Sequence, residues 1–114
     1  MYVQVDLAPS PPAVSLEEPE DCKRFHLAVV NGESAALVFG ALVDAAAGRL
    51  EGDHAWITVD AVRRMAEGRV GPGWDADFEA MLAFAGSKGW LDPTGASIQA
   101  HVEWQGATGG GDGA

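Results

Sequence analysis

The segment from residue 75 to residue 104 constrains the fold more than any other part of the 114-residue chain. Large apolar residues recur through residues 75–88 at the spacing of one helix face, and Gly89 follows where a left-handed residue ends a helix. Residues 92–95, Asp-Pro-Thr-Gly, have the composition of a tight turn. Residues 98–104 then alternate apolar with polar side chains, as in a strand with one buried face. The sequence therefore predicts an amphipathic helix followed by a β-hairpin.

Four more elements are predicted upstream of this segment. Residues 25–30 and 53–58 are rich in apolar, aromatic or β-branched side chains, which indicates strands. Residues 34–47 and 59–68 carry apolar residues at helical spacing behind a polar N-terminal residue, which indicates helices. The predicted order is therefore strand, helix, strand, helix, helix and hairpin.

The two ends of the chain differ from its middle in composition. Residues 1–22 are acidic and rich in proline, and half of residues 105–114 are glycine. Neither end has enough large apolar side chains to offset the entropy lost on ordering. We therefore predict a flexible acidic leader at 1–22, a single α+β domain at 23–104 and a disordered glycine-rich tail at 105–114. The alternation within residues 2–7 leaves open an edge strand inside the leader.

From residue 42 to residue 104 the order of helices and hairpin resembles the winged helix-turn-helix superfamily. The resemblance implies a small winged-helix-like α+β domain of about three helices with a C-terminal β-hairpin, to which residues 25–30 add an N-terminal strand. It also implies a DNA-reading function, in which the second helix of the pair enters the major groove. Winged-helix domains serve as protein-docking modules as well.

The charge of the chain opposes DNA binding. Its formal net charge is −10, and the helix that would enter the groove begins with Asp75, Asp77 and Glu79, whose carboxylates repel phosphate. The alternative of a DNA-binding transcription regulator rests on four basic residues, Arg63, Arg64, Arg69 and Lys88. For the three arginines, a solvated face that pairs with Asp60 and Glu67 is the simpler interpretation.

These observations favour a non-enzymatic interaction module that binds a protein or peptide partner. The predicted interaction surface comprises the acidic helix residues Asp77 and Glu79, with Trp74 and Trp90 at the two ends of that helix. Tryptophan is enriched at binding hot spots, although packing of Trp74 against the helix entrance is an alternative. Trp56 and Trp104 lie within apolar strand patterns and are predicted to be core residues.

Signatures of catalysis are weak in this sequence. Its only histidines, His26, His54 and His101, have no metal-ligand spacing, so neither a metal nor another cofactor is predicted. A small enzyme using His54, His101 and Glu103 is a second alternative function. The simpler explanation of these polar residues is that they lie on the solvent-facing side of a strand. Cys22 precedes two basic residues that favour a thiolate, or it is an incidental thiol.

The single cysteine allows no intramolecular disulfide, and no basic segment followed by an apolar stretch indicates a signal peptide. No apolar stretch approaches the roughly 20 residues that a membrane span needs. We therefore expect a cytoplasmic protein without a membrane partner.

Overall fold

The computed structural model describes residues 1–105, which form a six-stranded mixed sheet and three helices. The strands are β1 (Tyr2–Asp6), β2 (Ala13–Glu17), β3 (His26–Val30), β4 (Gly48–Glu51), β5 (His54–Thr58) and β6 (Ser97–Trp104). The helices are α1 (Ala35–Asp44), α2 (Val59–Ala66) and α3 (Trp74–Ser87). In the sheet the strands follow the order β2-β1-β3-β6-β5-β4. The pairs β1–β3 and β3–β6 are parallel, and the other three pairs are antiparallel.

The core lies between one face of the sheet and the helices. Alternate residues of the strands point into it, because successive side chains of a strand leave the sheet on opposite faces. The largest fully buried side chains come from both layers: Phe78, Met1, Leu16, Leu27, Leu42, Ile57, Val3, Val5, Val29, Val38 and Val62. Full burial of one such side chain contributes about 1.5–3 kcal/mol. The opposite face of the sheet, which we call the outer face, carries mainly polar side chains.

The predicted winged-helix-like fold class is wrong. Strands make up 31% of the structure, and the C-terminal strand is no part of an independent wing. Instead β6 lies between β3 and β5 and pairs with both. The predicted hairpin survives only as a short pairing around the bridge between Leu91 and Ile98. Local patterns located most helices and strands, but the sheet is made by long-range pairing that a hairpin does not contain.

Residues 1–22, predicted as a flexible leader, instead contribute two strands to the sheet. β1 lies between β2 and β3, with Val3 and Val5 fully buried, so it is an interior strand rather than an edge strand. The following segment is tied to the rest of the protein, since the Arg69 guanidinium donates to the Leu16 carbonyl at 2.7 Å. The prediction from composition was wrong because the few apolar residues of this segment are concentrated on one face of each strand.

Two local signals are confirmed. Thr58 caps α2 by accepting a hydrogen bond from a main-chain amide, and the structure shows that Ser34 caps α1 in the same way. Gly89 has a φ of 78°, as expected for the residue that ends α3. Of the predicted tail at 105–114, all but Gln105 lies outside the described residues. Within residues 1–105 no helix has both the length and the apolar character needed to cross a membrane.

Candidate functional site

One side of α3 forms the wall of a groove of about 650 Å³. The wall residues Asp77, Ala80, Met81 and Phe84 are spaced so that they share one helix face. Residues 20–23 form the opposite wall. We call this cleft the α3 groove.

Two exposed aromatic rings continue the α3 groove towards the sheet. Phe84 is 56% exposed and Trp90 is 43% exposed, and their rings meet edge to face with centroids 5.8 Å apart. The Lys88 ammonium lies 5.5 Å from the centre of the Phe84 ring. Because large apolar rings gain free energy when they leave water, this pair is a candidate contact for another molecule.

A second groove, of about 340 Å³, begins at Trp90 and opens on the outer face of the sheet. Its other lining residues are Phe25, Asp53, His54, Gln99 and His101. We call it the sheet groove. Trp90 belongs to it and touches Phe84 of the α3 groove, so the two clefts and the aromatic pair form one continuous surface, which we name the α3 surface.

Carboxylates surround the apolar floor of the α3 groove. Glu20 accepts a hydrogen bond from the Gly71 amide at 2.9 Å, and Asp21 accepts one from the Lys23 amide at 3.1 Å. This second bond stabilises the ionised carboxylate and so lowers the pKa of Asp21. The Asp77 carboxylate makes no hydrogen bond or ion pair within residues 1–105. The α3 groove therefore offers one unengaged negative charge beside an apolar floor.

The Cys22 thiol lines the same groove. Its basic neighbours in the sequence suggested a lowered pKa, but its surroundings in the structure have the opposite effect. Burial raises its pKa, and the carboxylate of Asp77 raises it further. Arg24 is 81% exposed, and its guanidinium lies 4.0 Å from the Asp21 carboxylate. Cys22 is therefore held as a thiol and lacks the character of an activated nucleophile.

The reactivity of Cys22 tests whether its thiol is held protonated. We expect the pH–rate profile of its alkylation by iodoacetamide to have a midpoint above that of a cysteine in a short unstructured peptide. Asp77→Asn removes one cause of the raised pKa, so the midpoint should fall and the rate at pH 8 should rise roughly 2- to 10-fold. A midpoint at or below that of the peptide would show that the groove does not raise the pKa of Cys22.

The structure separates the residues of the predicted interaction surface. Trp90 and Asp77 lie on the α3 surface. Trp74 belongs to the core: it is 4% exposed, it stacks on Phe78, and its indole N–H donates to the Pro19 carbonyl at 2.6 Å. Glu79 forms an ion pair with Arg63.

The basic residues of the DNA-binding alternative make contacts within the protein. Arg63 pairs with Asp75 at 3.5 Å as well as with Glu79. Arg64 donates to the Ala45 carbonyl at 3.0 Å, and Arg69 donates to the Leu16 carbonyl. Arg63 thus joins α2 to α3, Arg64 joins α2 to the residue after α1, and Arg69 joins the segment after α2 to β2.

The three histidines form a row that their spacing in the sequence does not reveal. His26, His101 and His54 are direct register partners on the adjacent strands β3, β6 and β5. The structure thus brings His54 and His101 together in the sheet groove. However, Glu103 lies 3.7 Å from His26, and His54 lies 3.4 Å from Glu51. In the part of the chain that is described, no three His, Cys, Asp or Glu side chains are grouped to hold a metal ion.

Two tryptophans predicted for the core lie elsewhere. Trp56 is half-buried on the outer face, where it donates to the Glu51 carboxylate at 3.0 Å and lies 5.6 Å from the Arg49 guanidinium. Trp104 is 39% exposed near the end of β6. The alternation in β6 identified the buried residues Ile98, Ala100 and Val102 correctly, but that strand projects beyond the core at its last residues.

Comparison of the chain with protein-family models, with curated proteins and with solved structures gave no significant match. The α3 surface is therefore the feature from which a function can be inferred.

Proposed function

We propose that the protein is a non-enzymatic module that binds a protein or peptide along the α3 surface. The observation that supports this is the exposed Phe84–Trp90 pair, which connects two grooves. Aromatic anchors surrounded by clefts are typical of binding hot spots, because the partner's side chains fill the clefts while the rings leave water.

The chemistry of the α3 groove points to the kind of segment that would fill it. Ala80, Met81 and Phe84 offer an apolar floor to an aliphatic or aromatic side chain. The unengaged Asp77 carboxylate favours a lysine or arginine beside that side chain, since opposite charges guide association and set register. Lys23 and Lys88 lie close by, so the position of the cation matters more than the total charge of the partner.

The other two candidate functions have less support. An acid–base mechanism would need His54, His101 and Glu103 to converge, whereas Glu103 faces His26. DNA binding would need cations free to meet phosphates, whereas the three arginines bond to protein groups. The α3 surface requires no such rearrangement.

Selection of short peptides from a random displayed library tests the proposal. We expect the full chain to enrich sequences in which a basic residue stands next to a large apolar one. Addition of such a peptide should shift the NMR signals of Met81, Phe84 and the Trp90 indole. The double variant Phe84→Ala with Trp90→Ala should weaken binding by about tenfold or more, because hot-spot residues dominate affinity.

Ala83→Ser is the matched control, because Ala83 is exposed on α3 but does not line either groove. This variant should bind the selected peptide like the parent protein. Denaturation curves would confirm that all variants remain folded. Peptides whose signals map away from the α3 surface, or that bind the double variant equally well, would rule the proposed surface out.

A further inference from the structure

The row of histidines on the outer face of the sheet has a spacing that suits metal ions. His26, His101 and His54 are direct register partners, and Glu51 on β4 continues the row beyond His54. Opposite side chains on one face of an antiparallel pair have Cβ atoms only about 4.5–5.5 Å apart. Imidazole nitrogens bind transition-metal ions at about 2.0–2.1 Å, so two rings at this spacing can share one ion. The antiparallel pair His54 and His101 therefore has the spacing of a two-histidine site.

The sheet groove brings these two imidazoles to one cleft and leaves the third outside. His54, His101 and Asp53 line the groove, and no lysine or arginine of the described chain does. His26 lies outside it, where its ring stacks on that of Tyr2 with the centroids 4.8 Å apart. The groove therefore combines two metal-binding side chains with a carboxylate and no basic residue.

Both ring nitrogens of His54 face carboxylates. Its Nε2 lies 3.4 Å from Glu51 Oε1, and its Nδ1 lies 3.3 Å from Asp53 Oδ1. A neutral imidazole carries only one N–H, so one nitrogen presents a lone pair to a carboxylate, which is unfavourable unless a cation lies between them. Asp53 lines the groove and Glu51 does not. We therefore assign the N–H to Nε2, which donates to Glu51, and the lone pair to Nδ1 on the groove side.

This arrangement of His54 is typical of histidine ligands. Such a ligand usually donates its second N–H to a carboxylate, which fixes the tautomer and orients the free nitrogen towards the ion. The 3.3 Å between His54 Nδ1 and Asp53 also matches the separation of roughly 3.3 Å between two ligands of a tetrahedral ion whose bonds are about 2.0–2.1 Å long. His101 is exposed, so its ring is able to turn towards the same ion.

We propose that the sheet groove binds a divalent transition-metal ion, Cu²⁺, Ni²⁺ or Zn²⁺, through the imidazoles of His54 and His101, with the Asp53 carboxylate beside it. In the described part of the chain no three His, Cys, Asp or Glu side chains are already grouped for an ion. Binding therefore requires the His101 ring to turn, and water completes the coordination. The site does not depend on the binding of a peptide along the α3 surface.

Calorimetric titration with Cu²⁺ tests the site, because Cu²⁺ binds imidazole most tightly of the three ions. A Cys22→Ser background removes the thiol, which is a competing ligand. We expect one ion per chain, and nitrogen hyperfine splitting from two imidazoles in its electron paramagnetic resonance spectrum. In this background His54→Gln and His101→Gln should each weaken binding by about tenfold or more, since even loss of the carboxylate behind a ligand has an effect of that size.

His26→Gln is the matched control, because it removes the histidine of the same row that lies outside the groove. This variant should bind Cu²⁺ like the Cys22→Ser parent, and urea denaturation would confirm that every variant is folded. Equal losses for all three histidine variants, or a parent that binds no ion, would overturn the proposed site. The titrations use the metal ion alone, so a failure to select peptides would not affect them.

NMR spectroscopy with Zn²⁺, which is diamagnetic, locates the ion without a mutation of any histidine. The ring signals of His54 and His101 should shift together as Zn²⁺ is added, while those of His26 should stay in place. Shifts confined to His26, or to residues outside the sheet groove, would show that the ion binds elsewhere and would overturn the proposal.

Discussion

Replacing Val5 with aspartate is expected to unfold the protein. Val5 is fully buried in β1, with Val14 on one side and Val29 on the other. A carboxylate at this position loses its hydration without gaining a partner, which costs several kcal/mol, and the apolar burial of valine is lost as well. Together these terms approach the total stability of a domain of this size, about 5–15 kcal/mol. Far-UV circular dichroism and urea denaturation would measure the loss.

Gln4→Asp is the matched control on the neighbouring residue. Gln4 lies on the outer face of β1 and is only half-buried, so the same new charge remains hydrated there. We expect a change in the free energy of unfolding of about 1 kcal/mol or less. If Val5→Asp were as stable as Gln4→Asp, residues 1–22 would be a leader outside the folded unit after all.

Gly48→Ala should cause the second largest loss. Gly48 has a φ of 149° at the start of β4, and a Cβ there would lie 1.9 Å from the Trp56 carbonyl oxygen on β5. Both the strained backbone and the contact with main-chain atoms must be relieved, and this requires β4 to move away from β5. We expect the free energy of unfolding to fall by about 3 kcal/mol or more.

Two other glycines separate the causes of this effect. Gly52 has a φ of 63° but open space around it, so Gly52→Ala should cost only the backbone strain, about 1–2 kcal/mol. Gly40→Ala meets neither obstacle and should stabilise the protein by about 0.5–1 kcal/mol. Urea denaturation of dilute samples should therefore give the highest free energy of unfolding for Gly40→Ala, a lower one for Gly52→Ala and the lowest for Gly48→Ala. Equal losses at Gly48 and Gly52 would contradict the close contact between β4 and β5.

The candidate site was only partly predictable. An acidic helix that ends near an exposed tryptophan was visible in the sequence, and Asp77 and Trp90 do lie on the α3 surface. Phe84, the most exposed large apolar residue of the described chain, was missed because the apolar stripe that enters the core dominates the helical pattern. The signal that could have identified Phe84 is that this aromatic residue lies outside the apolar stripe of its amphipathic helix. Trp74 was wrongly assigned to the interaction surface, because the local sequence does not show which distant residues cover a side chain.

The sequence by itself determined the local elements. Helical spacing, capping residues and period-two alternation act over a few residues, so β3, α1, β5, α2, α3 and β6 could each be located from their own segments. Only the tertiary structure decided which strands pair. It placed β1 inside the sheet, β6 between two strands, and three distant histidines in one row. The physical reason is that strand pairing joins main-chain groups common to all residues, so partner and register depend on which apolar faces can be buried together.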